Sequence, residues 1–412
     1  MMSEPRLPAE LLDYIVDLLH NTRDALKSCC LVSKSWIARA RKHLFANIAF
    51  GPQGNVSVEL WKVTFPEPST SPACYTRSLV IKYPMAVATA DAGEGGWITT
   101  FSQVEDFQFD FLTMTINPMS ISYLVPFHGF SPILKSLSVM YTAFHPSGLF
   151  NLIQSFPRLE SLYLANEDSS RGGDGFDPQP DVIPLPTSPP FTGSLVLVLR
   201  PSMSPIVPRL LSPSYSLHFR KLHLVLCHGQ DVAWTAELVK GCTSTLEFLR
   251  IDCGISESIQ HLQRINDFPT FAVEPSAGSI NLSRAKRLQV AEFGYQVYLP
   301  FVIATLRTVT DGHRNLQRIS IETIDLLVAR DLNYSDPASF VHAIGAAYRE
   351  WLELDGVLAG LSEAHSIRVK VLYKAPERID GKISRSCLEM LLPELTKGGV
   401  VDLVEWEGTW AA

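Results

Sequence analysis

With 412 residues, 46% hydrophobic and 19% charged, the chain can bury a large core, which excludes a globally disordered protein. Thirty-five basic against 42 acidic residues leave a net charge of −7, which argues against a chain-wide nucleic-acid footprint. No apolar run approaches the roughly 20 residues of a membrane span, and MMSEPRLPAELL has no basic stretch leading into an apolar one, so neither a membrane segment nor a secretory leader is expected.

The first fifty residues run against the overall charge, with seven basic groups against five acidic. Leu7-Pro8 opens a helix, because proline at the first helical position loses no hydrogen bond and has its φ already set. Leu11, Ile15, Leu18 and Leu19 follow at helical spacing, with Leu12 and Val16 widening the stripe. Asn21-Thr22 interrupts it and can cap a second helix around Asp24–Cys30. Ser33 can cap a third, carrying Trp36, Ile37, Ala40 and Leu44. Three helices of about 40 residues bury little surface on their own, so such a module wants a partner.

LPAELLDYIVDLLHNTRDALKSCCLVSKSWIARARKHLF resembles an F-box of the kind common in mushroom-forming fungi. Leu7-Pro8, Glu10, Ile15, Leu18-Leu19, Leu26, Cys29, Leu31-Val32-Ser33, Trp36, Arg39 and Leu44-Phe45 carry the resemblance, over about a tenth of the chain. It implies binding to a Skp-type adaptor, and through it to cullin, with contacts from Leu7, Pro8, Leu11, Leu12, Ile15, Leu31 and Val32.

Beyond residue 74 one pattern recurs: apolar, two residues, apolar, one residue, apolar. It is clear at LKSLSV (Leu134), LESLYL (Leu159), FRKLHL (Phe219), LEFLRI (Leu246) and LQRISI (Leu316). Weaker copies are TRSLVI (Thr76), VEDFQF (Val104), SLVLVL around Leu195 and AKRLQV, read as Ala285/Leu288/Val290. Alternation at the last positions is strand chemistry, since side chains two apart share a face. Helical stretches lie between copies, at His145–Phe156, after Asp231 as far as Gly241, and over Tyr298–Thr310. A strand and a helix per repeating unit resembles a degenerate leucine-rich repeat, without its regular asparagine ladder.

Toward the C-terminus, Asp336-Pro337 starts a long helix as far as Leu352, and a short helix spans Val357–Glu363. IRVKVLYK reads as a strand, SRSCLEMLLPELTKGG as one helix ending at Gly398, and VVDLVEWEG as a last strand or cap. Residues 51–74 read as a linker and 165–193, rich in Pro, Gly, Ser and Asp, as an insertion loop.

Motifs for catalysis are missing. There is no GxSxG, GxxxxGK[ST] or HExxH, and GEGG at 93–96 and GGDG at 172–175 lack the context of a dinucleotide loop. His223, Cys227 and His228 do not share one strand face, and the seven cysteines are never spaced CxxC, so no metal, cofactor or disulfide framework is expected. Reduced thiols fit the cytoplasm or nucleus.

The expected architecture is therefore α/β: an N-terminal three-helix F-box (1–50) followed by a leucine-rich-repeat-like α/β solenoid (75–412) with its apolar row, Leu137, Leu162, Leu222, Leu249, Leu288 and Ile319, buried together. The expected function is non-catalytic, the substrate receptor of an SCF-type ubiquitin ligase, with no nucleic-acid or membrane partner; the alternative is a repeat-based scaffold not engaged with a ligase. A protein target is expected on the sheet face opposite the buried row, through Tyr163, His223, Phe248, Arg250, Asp252, Arg318 and Glu322, with Ser161, Gln289 and Ser320 beside them.

Overall fold

The computed structural model describes residues 8–51, 56–82, 97–110, 127–140, 146–165, 191–199, 210, 218–226, 231–253, 279–295, 299–323, 347–373 and 381–405. The chain is α/β, with twelve strands whose described pairings are all parallel. It divides into two compact units, whose described residues lie within 8–165 and 191–405. Among the described residues no helix is long and apolar enough to cross a membrane.

The first unit begins with α1 (Ala9–Leu18), α2 (Arg23–Val32) and α3 (Lys34–Leu44). Ser33 sits in extended conformation between α2 and α3, and its side chain accepts a hydrogen bond from Ser35 N at 3.3 Å, the cap that the sequence suggested. Five strands follow: β1 (Asn47–Phe50), β2 (Ser78–Lys82), β3 (Asp106–Asp110), β4 (Ser136–Met140) and β5 (Ser161–Ala165), each parallel to the one before. The described part of the stretch read as a linker, residues 56–74, is folded: α4 (Val58–Thr64) buries Val58 and Trp61, and Ser57 caps it by accepting from Leu60 N. Trp61 packs edge-on against Phe50, so β1 and α4 share a core. α5 (Pro146–Gln154), with Leu149, Leu152 and Ile153 buried, connects β4 to β5.

The second unit holds β6 (Ser194–Leu199), β7 (Lys221–Leu226), β8 (Phe248–Cys253), β9 (Val290–Tyr295), β10 (Arg318–Thr323), β11 (Arg368–Tyr373) and β12 (Val401–Glu405), again in chain order. α6 (Asp231–Cys242) lies between β7 and β8, α7 (Leu299–Leu306) between β9 and β10, and α8 (Ala347–His365) between β10 and β11. α9 (Gly381–Leu391) and α10 (Pro393–Gly398) precede β12.

Within each unit the second and fourth residues of successive strands form continuous buried rows. Leu79, Phe107, Leu137 and Leu162 stand side by side in the first. Leu195, Leu222, Leu249, Ala291, Ile319 and Val369 do so in the second. The turn before each strand stitches one repeat to the next. Arg77 O accepts from both Glu105 N and Asp106 N, Glu105 O from Lys135 N and Ser136 N, and Lys135 O from Glu160 N and Ser161 N. Arg220, Glu247 and Gln289 repeat the arrangement in the second unit. The side chains at these turn positions alternate in charge, Lys135 Nζ lying 2.6 Å and Arg77 Nη1 3.4 Å from the Glu105 carboxylate, and Arg220 2.8 Å from Glu247.

Several sequence expectations need correcting. Leu288 is buried but is not in the strand row; its place is taken by Ala291, so the repeat frame is Leu288/Ala291/Phe293, three residues later than expected. Gln289 consequently precedes β9 instead of lying on its face. α6 runs through Gly241 to Cys242 and begins at Asp231. α8 is one helix through Gly356 and Gly360, where two helices separated near 353–356 were expected. The opposite holds at 381–398, where Pro393 splits the expected single helix in two. The freed N–H groups of Glu394 and Leu395 donate to the buried Asp355 carboxylate of α8, at 2.8 and 3.1 Å. Leu7, the helix start at 336–346 and loop residues 166–190 lie outside the described residues.

Candidate functional site

The first candidate surface is on the three-helix module. Its interior is closed by Val16, Leu26, Cys29 and Ala40, with Leu19, Cys30, Trp36 and Leu44 packed against them. The single apolar stripe expected on α1 is in fact two faces. Val16 and Leu19 point inward with half-buried Leu12, whereas Leu11, Tyr14, Ile15 and Leu18 point to solvent, Leu11 and Leu18 being 49% and 63% exposed. Leu31 and Val32, at the end of α2, are exposed to 88% and 70%. Pro8 is also exposed, and its carbonyl accepts from Leu11 N and Leu12 N. Tyr14 was not expected among the contact residues; its spacing from Leu11 and Leu18 on the helix was the available signal.

α1 is tied to α3 by one carboxylate. Asp17 accepts from Arg39 Nε at 2.6 Å, from Arg39 Nη2, and from His43 Nε2 at 2.6 Å. The Arg39 hydrogen bonds, followed by that of His43, hold the Asp17 carboxyl well below the usual carboxylate range. The exposed apolar face is thus carried on a fixed helix pair.

The second candidate lies on the strand face opposite the buried row. In the first unit, Tyr163 stands half-buried beside Ser138, with Ser161 beside Ser136. The remaining candidates belong to the second unit, where β7 to β10 bring His223, Arg250, Asp252 and Glu322 into one hydrogen-bonded network. Arg250 Nε donates to both oxygens of Asp252 at 3.1 Å, while its two terminal nitrogens reach two strands across to Glu322 at 2.9 and 2.8 Å. His223 Nε2 meets Asp252 Oδ2 at 2.5 Å. Glu292, which the misread frame on β9 concealed, completes the network by accepting from Arg318 at 2.8 Å and Arg250 at 3.4 Å.

Gly294 makes that reach possible. It lies in register between Asp252 and Glu322, and a Cβ there would run into the Asp252 carboxylate and stand 2.9 Å from Glu322 Oε2. Burial pushes the Glu322 carboxyl up, against the pull of Arg250. Burial acts the same way on Asp252, but His223 and Arg250 outweigh it and its pKa is lowered. Arg250 loses hydration too, yet Asp252 and Glu322 raise its pKa further.

This corrects the role expected of two residues. Asp252 and Glu322 are 7% and 3% exposed, as is Ser320 at 3%, so they are occupied in holding Arg250 and offer little surface to a target. Phe248 is half-buried and Arg318 exposed at the strand beginnings, where they remain accessible. Among the described residues no group of three or more His, Cys, Asp or Glu side chains could hold a metal ion; Cys227 and His228 lie outside them. No family model matches the chain, and no curated protein sequence matches it.

Proposed function

We propose that the chain is the substrate receptor of an SCF-type ubiquitin ligase, in which α1 to α3 form an F-box and the two strand-and-helix units form a leucine-rich-repeat-like solenoid that holds the target. The observation that carries this reading is the outward apolar face of Leu11, Tyr14, Ile15 and Leu18, with Leu31 and Val32, on a module whose interior is already closed by Val16, Leu26, Cys29 and Ala40. Large apolar side chains have no folding reason to gather on solvent, and burying one contributes roughly 1.5–3 kcal/mol. In this reading the face is covered by a helix of a Skp-type adaptor, which bridges to cullin. The conjugating machinery supplies the chemistry, and this chain supplies proximity by holding the target beside it.

The test is co-expression of the chain with a Skp-type adaptor. Leu11→Ala with Leu31→Ala should reduce adaptor co-purification by about tenfold or more, as anchor truncations at interface centres do. Because both side chains are exposed, the far-ultraviolet circular dichroism should not change. Equal recovery of adaptor by the wild type and the double variant would refute the reading.

A further inference from the structure

Resting on the receptor reading, we propose that the second unit recognises its target through an acidic peptide segment, laid across the row of residues that begins strands β7 to β11. That row runs, in register, Lys221, Phe248, Val290, Arg318 and Arg368. Three of the five are cations and none is an acid, on a chain whose net charge is −7. Lys221, Arg318 and Arg368 are exposed, and Phe248 and Val290 are half-buried between them. Lys221 and Arg368 form no ion pair among the described residues, and Arg318 stays 46% exposed while giving one nitrogen to Glu292.

The network beneath explains why this rim is free to bind an anion. On strands β8 to β10 the carboxylates of the row's own face are Asp252, Glu292 and Glu322, and all three are engaged by Arg250. Exposed Asp402 lies beyond the row's end on β12, opposite Lys370. Asp252 is further held by His223 and Glu292 by Arg318. Glu292 holds one nitrogen of Arg318, and Arg318 stands directly beside Arg368 in the register, their backbones one strand spacing, ~4.8 Å, apart. Two adjacent arginines without a carboxylate between them repel each other; a ligand carboxylate relieves that repulsion with charge-assisted hydrogen bonds.

Geometry sets the form of the segment. From Lys221 to Arg318 is three strand spacings, about 14 Å, which an extended peptide covers in about four residues. An apolar side chain between two acidic ends would then rest on Phe248 and Val290, with one end at Lys221 and the other at the arginine pair.

The experiment uses the full chain and three fluorescein-labelled peptides, each with a central leucine flanked on both sides by glutamates, lysines or serines. Fluorescence anisotropy should rise for the glutamate peptide alone. Binding should weaken about tenfold or more between 0.1 and 1 M salt, as the screening length falls from about 10 to 3 Å. Arg318→Glu with Arg368→Glu should abolish it, with circular dichroism unchanged. No preference for glutamate over lysine, or binding indifferent to salt and to the double charge reversal, would overturn the proposal. Adaptor co-purification is scored separately: its loss with peptide binding intact would refute the ligase reading alone, and the converse would refute only the acidic segment.

Discussion

Arg250→Met isolates what the charged network does for the fold. The side chains of Asp252 and Glu322 are only 10% and 5% exposed, and Arg250 bridges them. Methionine removes all the bonds made by the guanidinium, leaving Glu322 without a partner among the described residues and Asp252 with His223 alone. Stranding a buried charge in this way costs about 3–5 kcal/mol. The loss should depend on pH with a definite sign. In the wild type, Asp252 has a lowered pKa, so its contribution is present above its unfolded value of about 4 and fades as pH falls further. In the variant Glu322, already raised by burial, loses the Arg250 pull that opposes it, and the penalty of ionising it would be relieved as pH falls. Urea unfolding of both proteins at pH 7 and pH 5 should therefore show a gap that narrows at the lower pH. Replacing all three charges, Arg250→Met with Asp252→Leu and Glu322→Leu, should recover most of the loss, since no unpaired charge then remains buried. A gap below about 1 kcal/mol at pH 7, or one that does not change with pH, would refute the assignment of a structural role to Arg250.

Two other outcomes follow from packing and backbone. Leu162→Ala, in a fully buried row between strands, should destabilise the first unit by about 2–5 kcal/mol in urea unfolding, whereas Leu31→Ala at 88% exposure should cost under about 0.5 kcal/mol. Gly356→Ala and Gly360→Ala should each stabilise α8 by about 0.4–1 kcal/mol, because both positions are helical and a Cβ at either would meet nothing within 4 Å. A lowered melting temperature in either glycine variant would contradict the continuous helix.

The strands were legible because alternation after a spaced apolar residue has few other physical explanations, and most copies fall in their expected frame. One did not, and another strand went unread, for different reasons. Phe45/Ile48/Phe50 satisfies the same pattern and forms β1, but its first residue also completes the apolar face of α3, so the helical reading absorbed it. At residues 285–293 two frames fit equally, Ala285/Leu288/Val290 and Leu288/Ala291/Phe293. What decides between them is tertiary: only the second frame sets Gly294 between Asp252 and Glu322, where the Arg250 fork needs room. Glycine also misled at 241 and 356, where helices continue through it because packing on other faces outweighs a cost of about 1 kcal/mol. The candidate strand face was legible as a face, since alternation assigns sides. Its burial was not, because which carboxylates a neighbouring strand's arginine will engage depends on register.

The alternating charges at the repeat turns bear on how such a chain can change length. Loss of the single repeat from Glu105 to Leu134 would bring the turn of Arg77 against that of Lys135, two cations where the chain now has an ion pair on each side. Loss of two repeats would restore a pairing of opposite signs, Arg77 with Glu160. Recombination in the first unit is therefore favoured in pairs and opposed singly. In the second unit the charged pair Arg220 and Glu247 gives way to Gln289 and Gln317, amides that can donate to or accept from either neighbour. There a repeat could be gained or lost without a charge conflict, which marks the stretch around β9 and β10 as the place where the array is freest to vary its length.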